Sequence, residues 1–182
     1  DLEARLGVAL RIEDQRKQLE NSILLEATGE RLPVNEFQLE FWRAAGQERA
    51  WLSASAPTAS GKTFLVLKWL VDCIATEKIQ RAVYLAPTRA LVSEIEASLA
   101  EVAAQSGLDV EISSLPSAQR YAAAETSGRR CVFVFTQERL HLLANLLHER
   151  VDIDLVVVDE AHKIGDPQRG VILQDAIERL LR

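Results

Sequence analysis

Apolar and polar residues follow one another along the chain in segments that predict alternating strands and helices. Short apolar runs predict strands at 51–56, 81–86, 109–115, 131–135 and 153–158. Apolar residues at helical spacing predict helices at 61–76, 89–106, 116–126, 138–149 and 170–181. Because this alternation is typical of βαβ units, it predicts an α/β fold with a parallel sheet covered by helices on both faces.

The start of the chain has a different pattern. Residues 1–28 place leucine and isoleucine at intervals among many charges, which predicts one or two amphipathic helices that stop at Gly29. Pro33 is expected to begin a further helix that ends near Gly46. The sequence therefore predicts an N-terminal helical extension at 1–30 and an α/β domain at 31–182.

Composition and charge narrow the class of protein. Apolar residues make up 48% of the chain and charged residues 26%, which is a globular composition. The net charge of −6 excludes a global basic field, so any nucleic-acid binding must come from a local patch. Cys73 and Cys131 both lie in apolar runs, which predicts buried free thiols in a reducing compartment.

The chain has neither a signal-peptide pattern at its start nor an apolar run of membrane-spanning length. With the free thiols, this predicts an intracellular protein, cytoplasmic or nuclear, without a membrane partner. The chain begins at Asp1 and contains no methionine, so we expect it to be a piece of a longer protein.

A phosphate-binding loop is predicted between the first α/β strand and its helix. Residues 56–63 read Ala-Pro-Thr-Ala-Ser-Gly-Lys-Thr, although the general pattern begins with Gly. A helix that starts here points N–H groups at an anion. Lys62 would reach the β- and γ-phosphates, and Thr63 would bind magnesium. The predicted nucleotide-binding residues of this loop are Ala56, Pro57, Thr58, Ala59, Ser60, Gly61, Lys62 and Thr63.

A pair of carboxylates follows the apolar run at 155–158. Asp159 and Glu160 are therefore expected at the carboxyl edge of a buried strand, where open α/β sheets bind ligands. Asp159 would hold magnesium, and Glu160 would position and deprotonate a water molecule. His162 would couple the γ-phosphate to a neighbouring domain. We expect Lys62 and Asp159 to converge on one magnesium-bound triphosphate.

The ordered set of motifs resembles the first RecA-like domain of superfamily 2 DEAD/DEAH-type helicases over residues 33–165. The residues that carry the resemblance are Gln38, the Walker A loop at 56–63, Ala86-Pro87-Thr88-Arg89-Ala90-Leu91-Val92, Thr136-Gln137-Glu138-Arg139-Leu140, and the Walker B or DEAH box at 159–162. The loop at 56–63 and residues 164–170 favour the superkiller-like branch.

The resemblance implies further roles for individual residues. Gln38 would read the adenine edge of ATP. The phosphates of a single strand of DNA or RNA would contact Thr88, Arg89, Thr136, Gln137 and Arg139. Many relatives have Thr-Pro-Glu where this chain has Thr136-Gln137-Glu138, so the contact there would differ in detail.

The resemblance also implies ATP and Mg²⁺ as cofactors and a second RecA-like domain of the same parent protein as a partner. Because that domain and its arginine finger lie outside this chain, we expect the isolated fragment to hydrolyse ATP weakly or not at all. Two alternatives stay open: a duplex translocase or remodelling subunit, and a non-catalytic module that binds a partner.

Overall fold

The computed structural model describes residue 16 and residues 21–47, 52–55, 61–147 and 152–161. The chain forms two compact units, residues 1–72 and 73–182, with the division inside one helix.

A β-hairpin opens the described part of the first unit. Strand β1 (Ser22–Leu24) pairs antiparallel with β2 (Arg31–Pro33). The loop closes through a hydrogen bond from Leu25 N–H to the carbonyl oxygen of Glu30 (2.9 Å), and Gly29 adopts a φ of 72°. The predicted helix through residue 28 is therefore wrong over 22–28. Its apolar residues follow a strand period instead, since Ile23 and Leu25 are buried whereas Leu24 is 47% exposed.

The helix that follows begins later than predicted. Helix α1 (Glu36–Ala45) has Asn35 as its N-cap, and Pro33 is the last residue of β2. Proline suits that position because β2 is an edge strand, and the next cross-strand hydrogen bond comes from Val34 N–H, which donates to Asn21 O (2.8 Å). Of the predicted helical extension at 1–30, only Arg16 among the first twenty residues is described, and it is helical.

The predicted strand at 51–56 is also wrong where it is described. Residues 52–55 belong to no strand, and all four are exposed. Leu52 is the sole large apolar side chain among them, so burial of this segment would contribute little free energy to a sheet. Helix α2 (Lys62–Ala75) is one residue shorter at each end than the predicted 61–76, and it buries residues on most of its circumference.

The second unit contains a four-stranded sheet in the order β4–β5–β3–β6. Its strands are β3 (Arg81–Leu85), β4 (Glu111–Ser113), β5 (Cys131–Phe135) and β6 (Leu155–Val158). All three neighbouring pairs are parallel, as the alternating pattern predicts. The structure shortens β4 from the predicted 109–115 and β6 from the predicted 153–158.

Helices cover both faces of this sheet within the second unit. They are α3 (Arg89–Gln105), α4 (Ala118–Ser127) and α5 (Gln137–Leu147). Tyr121 of α4 and Leu143 of α5 pack in one apolar cluster with Phe133 and Phe135 of β5. The alternate residues of β5 point to the opposite face and are equally buried, and α3 contacts β4 and β5 there. The confirmed fold class is a parallel sheet flanked by helices, consistent with a RecA-like domain.

The predicted helix at 170–181 lies outside the described residues, as do 148–149 at the end of the helix predicted for 138–149. Helix α3 is the longest described helix, with 17 residues. Among the described residues, no helix combines the length and the hydropathy that crossing a bilayer requires.

Candidate nucleotide and nucleic-acid site

The carboxyl ends of the parallel strands bring several predicted site residues to one edge of the sheet. Backbone hydrogen bonds extend the ladder one residue past the strand ends, from Ala86 N–H to Phe135 O (2.9 Å) and from Asp159 N–H to Leu85 O (2.9 Å). The segments that leave this edge are 86–89, 114–117, 136–137 and 159–160. The predicted catalytic carboxylates and the predicted nucleic-acid residues of the second unit therefore share one edge.

The carboxylate of Asp159 is held by two hydrogen bonds. The hydroxyl of Tyr84 donates to Oδ2 (3.1 Å), and the backbone N–H of Glu160 donates to Oδ1 (2.9 Å). Glu160 adopts a φ of 50°, in the left-handed region that side chains other than glycine rarely occupy. Both oxygens of Asp159 are thus oriented by donors of the same unit.

Tyr84 lies on the strand next to Asp159 and is 1% exposed. Burial, and then the negative charge of Asp159, raise the pKa of Tyr84 well above its usual range. The phenol therefore stays protonated and acts as the donor to the carboxylate. Sequence reasoning missed this residue, because a tyrosine within an apolar strand gives no signal beyond its single polar atom.

The donor set at Asp159 fits a magnesium ion that arrives with a triphosphate. Asp159 is partly exposed, and each of its oxygens accepts one of the two hydrogen bonds and keeps further acceptor capacity. Proteins commonly hold Mg²⁺ with one or two carboxylates together with phosphate oxygens and water. Glu160 is also partly exposed, so water can reach its carboxylate.

In the first unit, α2 begins with the geometry that a phosphate loop needs. Gly61 has a φ of 69°, and the first intrahelical hydrogen bond runs from Leu65 N–H to Gly61 O (3.1 Å). The N–H groups of the first turn precede that bond and carry the positive end of the helix dipole. Lys62 and Thr63 are the first two residues of this helix.

Gln38 lies against Gly61 within the first unit. A Cβ atom on Gly61 would stand 2.8 Å from Nε2 of Gln38. The same side chain completes a capping box, in which Gln38 Oε1 accepts from Asn35 N–H (3.0 Å) and Asn35 Oδ1 accepts from Gln38 N–H (2.9 Å). Sequence reasoning missed Asn35, although an Asn with a Gln three residues later is the pattern of a capping box.

The predicted nucleic-acid residues differ in how accessible they are. Thr88 is the N-cap of α3, where its hydroxyl oxygen accepts from Leu91 N–H (3.3 Å), and Arg89 beside it is exposed. Thr136 is 6% exposed, at the start of α5. Nη1 of Arg139 donates to the backbone carbonyl oxygen of Ser114 (2.7 Å), so part of its guanidinium is engaged by the segment that follows β4. Within the described residues, Oε1 of Gln137 is buried without a hydrogen-bond partner.

Some predicted site residues cannot be placed. Ala56, Pro57, Thr58, Ala59, Ser60 and His162 lie outside the described residues. Lys62 belongs to the first unit and Asp159 to the second. Their convergence on one nucleotide stays a prediction.

Comparison with known proteins gives the family. The chain matches the DEAD/DEAH box helicase family over residues 35–182. It is 30% identical over 131 residues to the ATP-dependent DNA helicase Hel308 of Aeropyrum pernix, covering 71% of this chain and 17% of that protein. It is 32% identical over 142 residues to the human Helicase POLQ-like, covering 74% of this chain and 12% of that protein.

A solved structure is similar as well. The helicase Lhr of Mycobacterium smegmatis, bound to single-stranded DNA and AMP-PNP, superposes with a TM-score of 0.55 at 26% identity, over 79% of this chain and 20% of that one. The chain spans less than a fifth of the length of the two curated relatives. The motifs at 38, 61–63, 86–92, 136–140 and 159–161 occur in this order along the chain, and the second unit contains a parallel sheet flanked by helices. Because the family match spans residues 35–182, the chain belongs to the DEAD/DEAH box helicase family.

Proposed function

We propose that this chain is the ATP-binding domain of a superfamily 2 helicase that couples ATP hydrolysis to movement along a nucleic acid. The observation that carries the proposal is the position of Asp159 and Glu160. Both follow β6 at the sheet edge where strands β3 and β5 also end. A carboxylate pair for the nucleotide and two segments for the nucleic acid at one edge suit an ATPase that couples the two ligands.

The loop and helix of the first unit would bind the nucleotide. Residues 56–60 would wrap the phosphates, the first turn of α2 would present its N–H groups, and Lys62 would neutralise charge on the β- and γ-phosphates. Thr63, which is exposed on that turn, would contribute its hydroxyl to the magnesium shell. Gln38, placed against Gly61, would bind the adenine edge.

The carboxylates of the second unit would act on the γ-phosphate. Asp159 would hold the magnesium ion through the ion's coordination shell. Glu160 would orient a water molecule and accept its proton. When bound, the magnesium ion neutralises the charge that develops on the phosphate oxygens. His162 would link this chemistry to a neighbouring domain.

The strand order would separate the predicted metal carboxylate from the predicted nucleic-acid residues along the edge of the sheet. Asp159 follows the terminal strand β6, Arg89 leaves β3, Gln137 leaves β5, and Ser114 leaves β4 at the far side. Neighbouring strands lie about 4.8 Å apart. The nucleic acid would therefore run across the ends of β3, β5 and β4 and would contact Thr88, Arg89, Thr136 and Gln137. Arg139 would also contact it, with part of its guanidinium held by the carbonyl oxygen of Ser114.

Efficient turnover would need a second RecA-like domain of the same parent protein. An arginine supplied by such a domain typically contributes about 10³ to 10⁵ in rate. We therefore expect this chain alone to bind Mg·ATP and to hydrolyse it slowly. Free thiols and the nucleic-acid substrate are in keeping with an intracellular protein. Because Hel308 is named a DNA helicase and the Lhr structure contains single-stranded DNA, DNA is the first substrate to test. RNA is the second.

Nucleotide binding by the 182-residue chain tests the proposal. Fluorescent ATP is titrated with Mg²⁺ into wild type, Lys62→Ala, Glu160→Gln and the control Lys78→Ala, whose lysine is an exposed turn residue. We expect Lys62→Ala to weaken binding at least about tenfold, because a charge-assisted contact to the phosphates would be lost. Glu160→Gln should bind as wild type and lose the residual hydrolysis. Equal binding by wild type and Lys62→Ala would contradict the proposal and favour a partner-binding module.

A competition experiment distinguishes single-stranded DNA, duplex DNA and single-stranded RNA as substrates. A labelled single-stranded DNA is displaced with unlabelled single-stranded DNA, duplex DNA or single-stranded RNA of equal length. We expect both single strands to compete better than the duplex, since the segments at the edge would contact phosphates of one strand. Preference for the duplex would support a translocase or remodelling subunit instead.

A further inference from the structure

We propose that Tyr84 is a positioning residue for ATP hydrolysis, whose hydroxyl holds the Asp159 carboxylate in the orientation that binds magnesium. This inference rests on the proposed function, in which Asp159 serves the metal. It concerns a residue outside the motifs that the sequence singles out, and it is carried by contacts within the second unit alone.

The strand register explains how Tyr84 reaches Asp159. Tyr84 pairs with Val157 across the parallel ladder of β3 and β6. Because side chains alternate along a strand, Asp159, two residues beyond Val157, points to the same face as Tyr84. The length of the phenol spans the offset, so that its oxygen lies 3.1 Å from Oδ2. A shorter hydroxyl side chain on this strand would not reach the carboxylate.

The contact orients a carboxylate that would otherwise rotate. Asp159 has left the strand and is only partly buried, so packing alone does not define its second side-chain torsion, which is intrinsically broad for Asp. The Glu160 N–H holds Oδ1, and the Tyr84 hydroxyl holds Oδ2. Hydrogen bonds from both sides define the plane of the carboxylate, and donors aligned before the ligand arrives lower the cost of ordering it.

The position of Tyr84 supports a dedicated role. It is 1% exposed, yet its single polar atom is directed at a partly exposed carboxylate at the ligand-binding edge. Phenylalanine would bury the same ring without a polar atom. The chain's other tyrosine, Tyr121, uses its hydroxyl on backbone atoms of Asp152, accepting from N–H (2.5 Å) and donating to O (3.3 Å). Tyr121 thus provides a matched case of a buried tyrosine hydroxyl at the opposite end of the strands.

The test compares Tyr84→Phe with Tyr121→Phe in the full chain. The Kd of fluorescent ATP is measured once with excess Mg²⁺ and once with EDTA. We expect Tyr84→Phe to raise the Kd with Mg²⁺ by about 3- to 10-fold, the scale of one typical hydrogen bond. Its Kd with EDTA should equal that of wild type, since the residue acts only through the metal. Tyr121→Phe should change neither value.

A mutant cycle with Asp159 excludes a general structural effect. In the Asp159→Ala background, Tyr84→Phe should cause no further loss, because the group it positions is gone. An additive loss, or equal losses with Mg²⁺ and with EDTA, would overturn the inference. The proposed function itself would be contradicted by a different result, namely that Asp159→Ala leaves the Kd measured with Mg²⁺ unchanged. If Asp159→Ala weakens binding and Tyr84→Phe does not, only the role of Tyr84 is refuted.

A measurement on an otherwise unaltered chain covers the case in which Tyr84→Phe does not fold. The chain has two tyrosines, so replacement of both by 3-fluorotyrosine gives two ¹⁹F signals. The signal of residue 84 should shift when Mg²⁺ and ATP are added together and should shift less with ATP and EDTA. The signal of residue 121 serves as the internal reference. A residue 84 signal that does not respond to Mg²⁺ with ATP would contradict the inference.

Discussion

Gly61 and the side-chain amide of Gln38 are in such close contact that a Cβ atom on Gly61 would stand 2.8 Å from Gln38 Nε2. Gln38 cannot withdraw freely, since its Oε1 accepts from Asn35 N–H in the capping box of α1. The residue predicted to read adenine and the glycine of the predicted phosphate loop therefore form one packed unit, which the capping box stabilises.

Gly61→Ala should lower the free energy of unfolding by more than the cost of placing a side chain at a positive φ. An L-residue at a φ of 69° costs about 1–2 kcal/mol, and here the added methyl group also displaces Gln38. Gly107→Ala is the matched control, because Gly107 has a φ of 63° with open space around its Cβ position. Chemical denaturation should show the larger loss for Gly61→Ala. In a Gln38→Ala background the two losses should become equal, and equal losses in wild type would contradict the packing.

At position 160, substitution by glycine should leave the fold more stable than substitution by alanine. Its φ of 50° is accessible to glycine at little cost, so Glu160→Gly should exceed Glu160→Ala in unfolding free energy by about 1 kcal/mol. Glu101, within α3, should show the opposite order by a similar amount, as helix interiors do. Thermal denaturation of the four variants measures both differences. The same order at both positions would show that residue 160 is not held in the left-handed region.

Arg89 and Arg139 should respond differently to salt. Each phosphate contact with a single strand contributes about 0.7 to the slope of log affinity against log salt concentration. Arg89→Gln should lower that slope, because Arg89 is exposed at the sheet edge. Arg139→Gln should weaken binding with a smaller change in slope, because Nη1 donates to Ser114 O. Titration of labelled oligo(dT) at four salt concentrations provides both slopes, and equal changes would place both arginines on phosphates.

Cys131 should resist alkylation and should make stability depend on alkaline pH. The thiol is 1% exposed, and burial raises its pKa from 9.0 to about 11. At pH 8 only about 0.1% would be thiolate, so iodoacetamide should react slowly with the folded chain. Because the folded state holds the proton more tightly, its stabilising effect is complete below pH 9 and is lost as pH rises toward 11.

Comparison with Cys131→Ala isolates that contribution. The difference in unfolding free energy between wild type and Cys131→Ala should shrink between pH 8 and pH 10.5. Urea denaturation at the two pH values measures it. A difference that is independent of pH, together with rapid alkylation of Cys131, would contradict a buried neutral thiol.

Local pattern predicted the continuous apolar strand and the long helix, and it failed at the hairpin and at one short exposed segment. The apolar run at 131–135 is β5 without any shift in its bounds, and α3 ends within one residue of the prediction. The hairpin at 22–33 was missed because Ile23 and Leu25, two positions apart, also fit among the apolar residues of an amphipathic helix. The segment at 52–55 resembles a strand in composition, but its exposed side chains contribute too little apolar area to hold it in one.

The candidate site divides in the same way. Asp159 and Glu160 could be located from sequence, because an apolar run followed by polar residues predicts the end of a buried strand. The hydrogen bond from Tyr84, 75 residues away in the chain, could not. Its existence depends on β3 and β6 being neighbours with Tyr84 opposite Val157, and strand order and register are not encoded within either strand alone.

The sequence by itself determined which chemical groups this protein has available: which side chains are candidates to bind phosphate, metal and water, and in what order along the chain they occur. Tertiary structure alone decided which of them share an edge, which hydroxyl orients Asp159, and which carbonyl engages Arg139. The physical reason is that side-chain type is a local property, whereas these contacts arise from strand pairing and packing between segments far apart in the chain.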